Sequence, residues 1–281
     1  MKPYFTGYIP SPLDKRDISM EAFLPTFNIA EQVDYTNDMS PIRPQGNEGT
    51  CVAFAAVVGV KEYQEKKEHE HTIELSPRYL YQKCKELDGI PDEEGTYPRV
   101  AVKVLYDQGC CEESYWPYIA CELGTPQIGA DENAAKYRIK AFASLNSISS
   151  MKRSLVINGP FIAGVVVFEE SWFNEQTDRT GVIGMPPEDL ISNGGHAICI
   201  VGYDNTTKRF KFKNSWGDGW GERGYGYLPY EYMKRYCTEA WSSTDLIDNP
   251  EAIIKAKENI LDRFDEDYVV PRTDKLGITY H

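Results

Sequence analysis

Gln45-Gly46-Asn47-Glu48-Gly49-Thr50-Cys51-Val52-Ala53-Phe54-Ala55-Ala56-Val57-Val58 is a glycine-punctuated loop running into a stretch that is apolar on every side. Lys61-Glu62-Tyr63-Gln64 follows, so the pattern predicts a helix whose first turns are buried and whose later turns reach solvent. Cys51 stands at its start, near the positive end of the helix dipole, where a thiolate is favoured. A cysteine in an apolar run also reads as an inert buried residue. Gln45 offers two N–H donors just ahead of the thiol. With the Cys51 N–H they would suit a developing oxyanion, although a loop glutamine alone carries no message.

Outward from this stretch the chain divides into four parts. Residues 1–39 read as an arm, since Pro3, Pro10, Pro12 and Pro25 interrupt any long element. Residues 40–140 read as a helical domain. Ser76-Pro77 and Tyr97-Pro98 place proline at the first position of two helices, over 78–87 and 98–107, and Gly109 stops the second. Residues 141–237 change to β-rich patterns. Phe161–Phe168 and His196–Tyr203 are β-branched apolar runs. Arg209–Ser215 alternates with period two, so Phe210, Phe212 and Asn214 share one face. Asp204-Asn205 begins a hairpin turn between the last two. Residues 238–281 form a tail in which Asn249-Pro250-Glu251 opens a short amphipathic helix, expected to dock on the domain itself or on a protein partner.

Composition bounds the function. Of 281 residues, 41% are hydrophobic, enough for a full core. The net charge of −13 would repel a phosphate backbone, which counts against nucleic acid as partner. No apolar run has the length of a membrane span. The N-terminal residues carry no apolar signal core, so the expected location is cytoplasmic. The seven cysteines include no Cys-x-x-Cys pair, and His69 and His71 lie in a charged stretch, so neither a metal nor a cofactor is expected.

Of four histidines, His196 alone begins a buried strand, after Asn193-Gly194-Gly195. It reads either as a hydrogen-bonded strand end or as the base for a thiol nucleophile. Asn214, inward among aromatics before Ser215-Trp216-Gly217, reads as a turn cap or as the group that fixes the tautomer of His196.

Together, Gln45 to Ala55, Gly195-His196-Ala197 and Lys213-Asn214-Ser215-Trp216-Gly217-Asp218-Gly219-Trp220-Gly221 resemble the papain-like cysteine peptidases over about residues 40–237, in their bacterial-type branch. The resemblance implies an α+β fold of two domains, helical and antiparallel β-barrel-like, with the active site in the cleft between them. It implies a catalytic triad of Cys51, His196 and Asn214 with Gln45 at the oxyanion, and a peptide or protein substrate. Trp216 would shield the Asn214–His196 bond. Gly95-Thr96-Tyr97-Pro98 would wall the substrate sites before the cleaved bond, with Tyr97 and Pro98 lining an apolar pocket and Gly195 beside them. Glu48 stands where the family carries a disulfide cysteine. Cys84 and Cys121 match positions that often form a second bridge, and their pairing is left open. The same four catalytic residues would also serve acyl transfer to an amine, as in a ligase, deamidase or amidase. A silent interaction module is the remaining alternative. The arm and tail are expected either to pack on the outside of the domain or, the arm more readily than the tail, to cover part of the cleft.

Overall fold

The computed structural model describes residues 4–20, 28–187 and 192–245. The expected tail helix from Asn249, and any partner surface on it, lies outside these residues.

The apolar stretch after the loop forms α1 (Cys51–Phe54), a π-helical segment (Ala55–Lys61) and α2 (Glu62–His69). Gly59 lets the π segment press against the sheet, since a Cβ there would sit 2.4 Å from the Cβ of Cys199. The Val58 carbonyl accepts from Ser40 Oγ (3.0 Å) and from the buried Lys213 Nζ (2.9 Å), which ties this helix to the sheet. Ser76 caps α3 (Pro77–Lys85) by accepting the Tyr79 N–H, and Pro98 opens α4 (Pro98–Asp107). A short α5 (Ala130–Ala134) completes the helical half.

The sheet half contains β2 (Ala141–Ser144), α6 (Ile148–Asn158), β3 (Phe161–Val166), α7 (Glu169–Trp172), α8 (Glu175–Thr180) and β4 (Gly195–Asp204). It continues through β5 (Arg209–Lys213), β6 (Tyr225–Pro229), α9 (Tyr230–Tyr236) and β7 (Cys237–Thr244). All pairings are antiparallel in the order β2-β7-β3-β4-β5-β6, and β1 (Gln32–Asp34) adds onto β4. The sheet is open, so the α+β class stands while the expected barrel does not close. It also recruits residues from both segments read as arm and tail: β1 comes from the first, and β7 lies between β2 and β3.

The apolar runs of β3 and β4 are buried on both faces. Ala197, Cys199 and Val201 pack with Val52, Ala56 and Leu80 in the helical core, while Ile198 and Ile200 pack with Phe161, Trp172 and Phe212 in the second. Two cores thus meet across one strand, and Cys51 and His196 lie where they meet. Among the described residues, no helix is long and apolar enough to cross a membrane.

Candidate active site

Cys51, the first residue of α1, is fully buried. Its sulfur accepts the N–H of Ala197 at 3.4 Å. The residue before Ala197 in β4 is His196, also fully buried, so thiol and imidazole come from the two halves and both lie at the seam. His196 Nε2 lies 2.8 Å from Asn214 Oδ1, which also accepts the N–H of Ser215 at 2.9 Å. Because that oxygen is fixed as an acceptor by Ser215, the proton between ring and amide belongs to Nε2. Nδ1 is then a bare lone pair, and it has no hydrogen-bond partner among the described residues. Trp216 stacks on the imidazole at 4.5 Å and 22°, and Trp172 meets it edge-on at 6.0 Å. Two indoles therefore keep water from the His196–Asn214 bond.

Gln45 is buried ahead of the thiol. Its N–H donates to the Ser215 carbonyl (2.8 Å), its Oε1 accepts from Ser215 Oγ (2.5 Å), and its Nε2 donates to the Glu48 carbonyl (2.8 Å). Glu48, where the resemblance expects a disulfide, instead makes two 2.6 Å bonds to Arg78 and accepts the Cys121 N–H at 2.8 Å. A nearly buried ion pair thus braces the loop. Cys84 is buried, Cys121 is exposed, and both are free thiols.

The arm enters this site. Tyr4 stacks on Trp216 at 4.7 Å, and Trp216 Nε1 donates to the Phe5 carbonyl at 3.0 Å. The Gly7 N–H lies near enough to the Cys51 sulfur to favour its thiolate. Tyr8 then forms a strand-like bridge to each wall: parallel to Thr96 and antiparallel to Gly195. The bonds are Thr96 N–H to Gly7 O (3.1 Å), Ile9 N–H to Thr96 O (3.2 Å) and Tyr8 N–H to Gly195 O (3.3 Å). Lys85 Nζ holds the Gly95 carbonyl (3.0 Å), and Thr96 Oγ1 donates to Asp88 (2.9 Å), which stiffens that wall. Tyr97 and Pro98 begin α4 as buried residues. The near neighbours of the Tyr8 side chain are Gly164, Gly195 and Thr238.

Burial opposes ionisation of both groups. It pushes the Cys51 thiol up to about 12, against the N–H groups of Ala197 and Gly7 that favour thiolate. It pulls His196 down to about 4, against its bond to Asn214. Burial therefore favours the neutral thiol and the neutral imidazole over the ion pair. Sequence reasoning brought Cys51, His196, Asn214, Gln45 and the Thr96 wall together. It missed Gly7 and Tyr8, whose only signal was their place between prolines in a segment suited to extended backbone.

The family described as papain family cysteine protease matches residues 29–243. An uncharacterized peptidase C1-like protein of Acanthamoeba polyphaga mimivirus is 29% identical, over 88% of this chain and 92% of that protein. Cathepsin K of Gallus gallus is 30% identical over 71% of this chain, which spans 58% of that relative's length. The solved structure of xylellain, a cysteine protease from Xylella fastidiosa, superposes with a TM-score of 0.78 at 26% identity, covering 88% of this chain and 98% of that one.

Proposed function

The chain belongs to the papain family of cysteine proteases, and from that premise we propose that it is a cysteine endopeptidase working through Cys51, His196, Asn214 and Gln45. The observation that carries this reading is the junction in β4, where Ala197 touches the Cys51 sulfur while His196 is held by Asn214.

In the reaction, the Cys51 proton passes to Nδ1 of His196, and the thiolate attacks the peptide carbonyl carbon. Gln45 Nε2 and the Cys51 N–H hold the oxyanion. His196 returns the proton to the leaving amine as the C–N bond breaks, leaving a thioester. It then takes a proton from water, which attacks the thioester and restores the thiol. Asn214 keeps the Nε2 proton in place, so that Nδ1 faces the reaction as a base.

The arm makes the folded chain latent. It uses the wall bonds that an extended substrate would use, yet offers the sulfur an N–H donor in place of an electrophilic carbon. The neutral pair beneath it lacks a thiolate. A short fluorogenic peptide and an epoxysuccinyl reagent test the reading, with the labelled site located by mass spectrometry. One equivalent of label on Cys51, with parallel loss of hydrolysis, is expected. Label on another cysteine, or hydrolysis surviving full labelling of Cys51, would overturn it.

A further inference from the structure

The last turn of α2 gathers donor atoms that the peptidase site does not use. Glu65, Glu68 and His69 stand at i, i+3 and i+4, so they share one helical face. One ligand atom from each lies within 4.8 Å of the others. His69 Nε2 is 3.3 Å from Glu65 Oε2. Two ligands about 2.1 Å from a tetrahedral ion are themselves about 3.4 Å apart, so this pair already has the spacing of a shared ion. Glu68 is exposed, and its side chain can rotate onto a third place.

Glu65 is oriented from behind. It is 3% exposed, and Lys61 Nζ holds its Oε1, which leaves Oε2 facing His69. The cations that follow on the helix are tied elsewhere. Lys66 Nζ donates to the Met39 carbonyl at 3.1 Å, and Lys67 pairs with Asp38 at 3.7 Å. Glu70 closes the turn in left-handed backbone, and its N–H donates to the Lys66 carbonyl at 3.0 Å. His71 stays outside the set, with its Nδ1 2.8 Å from the His69 carbonyl.

Asp245, just past β7, supplies a second and independent observation. It is 5% exposed. Its Oδ2 bonds to the same Lys61, while its Oδ1 is buried with no hydrogen-bond partner among the described residues. Glu65 and Glu68 lie near enough for their charges to bear on it, beside the larger effects of burial and of Lys61. Three carboxylates thus share one lysine, and the orphaned oxygen lacks a donor of the kind that water on a bound ion provides.

We propose that Glu65, Glu68 and His69 form a binding site for a divalent transition-metal ion of the zinc class, with Asp245 accepting from a water on that ion. One imidazole nitrogen and two carboxylate oxygens are a donor set that such an ion takes. The exposed side of the site leaves a remaining position open to solvent. The bound ion offsets the excess negative charge and ties the last turn of α2 to the segment that follows β7. The site shares no residue with Cys51, His196, Asn214 and Gln45, so it does not depend on the peptidase reading.

The test is zinc titration of the untagged full chain at pH 7 after dialysis against EDTA, read by calorimetry and by thermal melting. The wild type is expected to bind a zinc equivalent that depends on His69 and to melt at a higher temperature with zinc present. His69→Ala and Glu68→Gln alter exposed side chains, and circular dichroism checks that each variant is folded. Each is expected to weaken binding by about tenfold or more and to remove most of the zinc-dependent rise in melting temperature. Cys121→Ser and His71→Ala are expected to bind as the wild type does, which separates this site from the exposed thiol and the neighbouring ring. No binding by the wild type with zinc in large excess would overturn the proposal. Binding unchanged in folded His69→Ala, or lost in Cys121→Ser, would do the same.

Discussion

Among the described residues, His196 has no acid in contact with it. Its partner is the neutral amide of Asn214, which fixes a proton on Nε2 without drawing charge onto the ring, and Trp216 stacks on the imidazole, so in the proposed triad orientation rather than a neighbouring acid sets its role. This separates the two residues in their consequences. His196→Ala removes the proton carrier and is expected to lower kcat by about 10³-fold or more. Asn214→Ala leaves nucleophile and base in place and is expected to cost less, with measurable turnover remaining. Steady-state kinetics on one fluorogenic peptide compare them, and equal small losses would contradict the assigned roles. Glu48 and Arg78 illustrate a second residue-scale effect. The pair is nearly buried, with side-chain exposures of 13% and 2%. Removing one partner strands the other, so Arg78→Met is expected to lower stability in urea by about 3–5 kcal/mol. Replacing both by apolar residues of similar volume should recover much of that loss.

The helices were legible at their starts. Ser76-Pro77 and Tyr97-Pro98 mark α3 and α4, and the second has the expected bounds, Pro98–Asp107. Strands β3 to β5 were legible from apolar runs and from the Asp204 turn, whose side chain accepts the Thr206 N–H at 2.7 Å. Strand β7 was not, because Cys237–Thr244 is rich in polar residues. Its Ser242 is buried through bonds to Ser154 (2.7 Å) and Asn158 (3.0 Å), contacts from α6 that no local pattern encodes. Lys213 likewise reads as an outward residue of an alternating strand, yet it is buried on carbonyls of Ser40 and Val58. The arm was legible as extended backbone but not in its path, which is set by long-range bonds to Thr96 and Gly195. Its docking carries a pH dependence. Burial raises Asp17 to about 6, with Arg99 opposing and Asp14 and Glu239 adding to the rise. A docked pKa above the ordinary value of 3.8 means that protonation favours docking; the contribution is full below about 4 and is lost as pH rises through 6. Asp17→Asn should therefore hold the arm down at pH 7. The ratio of wild-type to Asp17→Asn initial rates is expected near one at about pH 4 and above one at pH 7, and a ratio independent of pH would contradict this linkage.

At the scale of the molecule, the two halves share β4, and the arm closes the seam between them from outside. In the proposed latent state, cleft occupancy and the protonation state of the pair are coupled: an arm bonded to both walls also shields the thiol and the imidazole from water. Lifting it should admit substrate and water together and let the pair ionise, so latency and reactivity change in one step. Gly7 gives direct control of that step. A Cβ there would lie 2.0 Å from the Gly49 carbonyl oxygen, a backbone atom of the braced loop, so Gly7→Ala cannot dock as the wild-type arm does. The decisive measurement is the initial rate of hydrolysis of a short fluorogenic peptide at pH 7 by the full chain, by Gly7→Ala, and by Gly7→Ala with Cys51→Ala. The account predicts that Gly7→Ala is faster than wild type by roughly tenfold or more, as the competent fraction rises, and that adding Cys51→Ala abolishes the rate. A folded Gly7→Ala no faster than wild type, or a rate that survives Cys51→Ala, would contradict it.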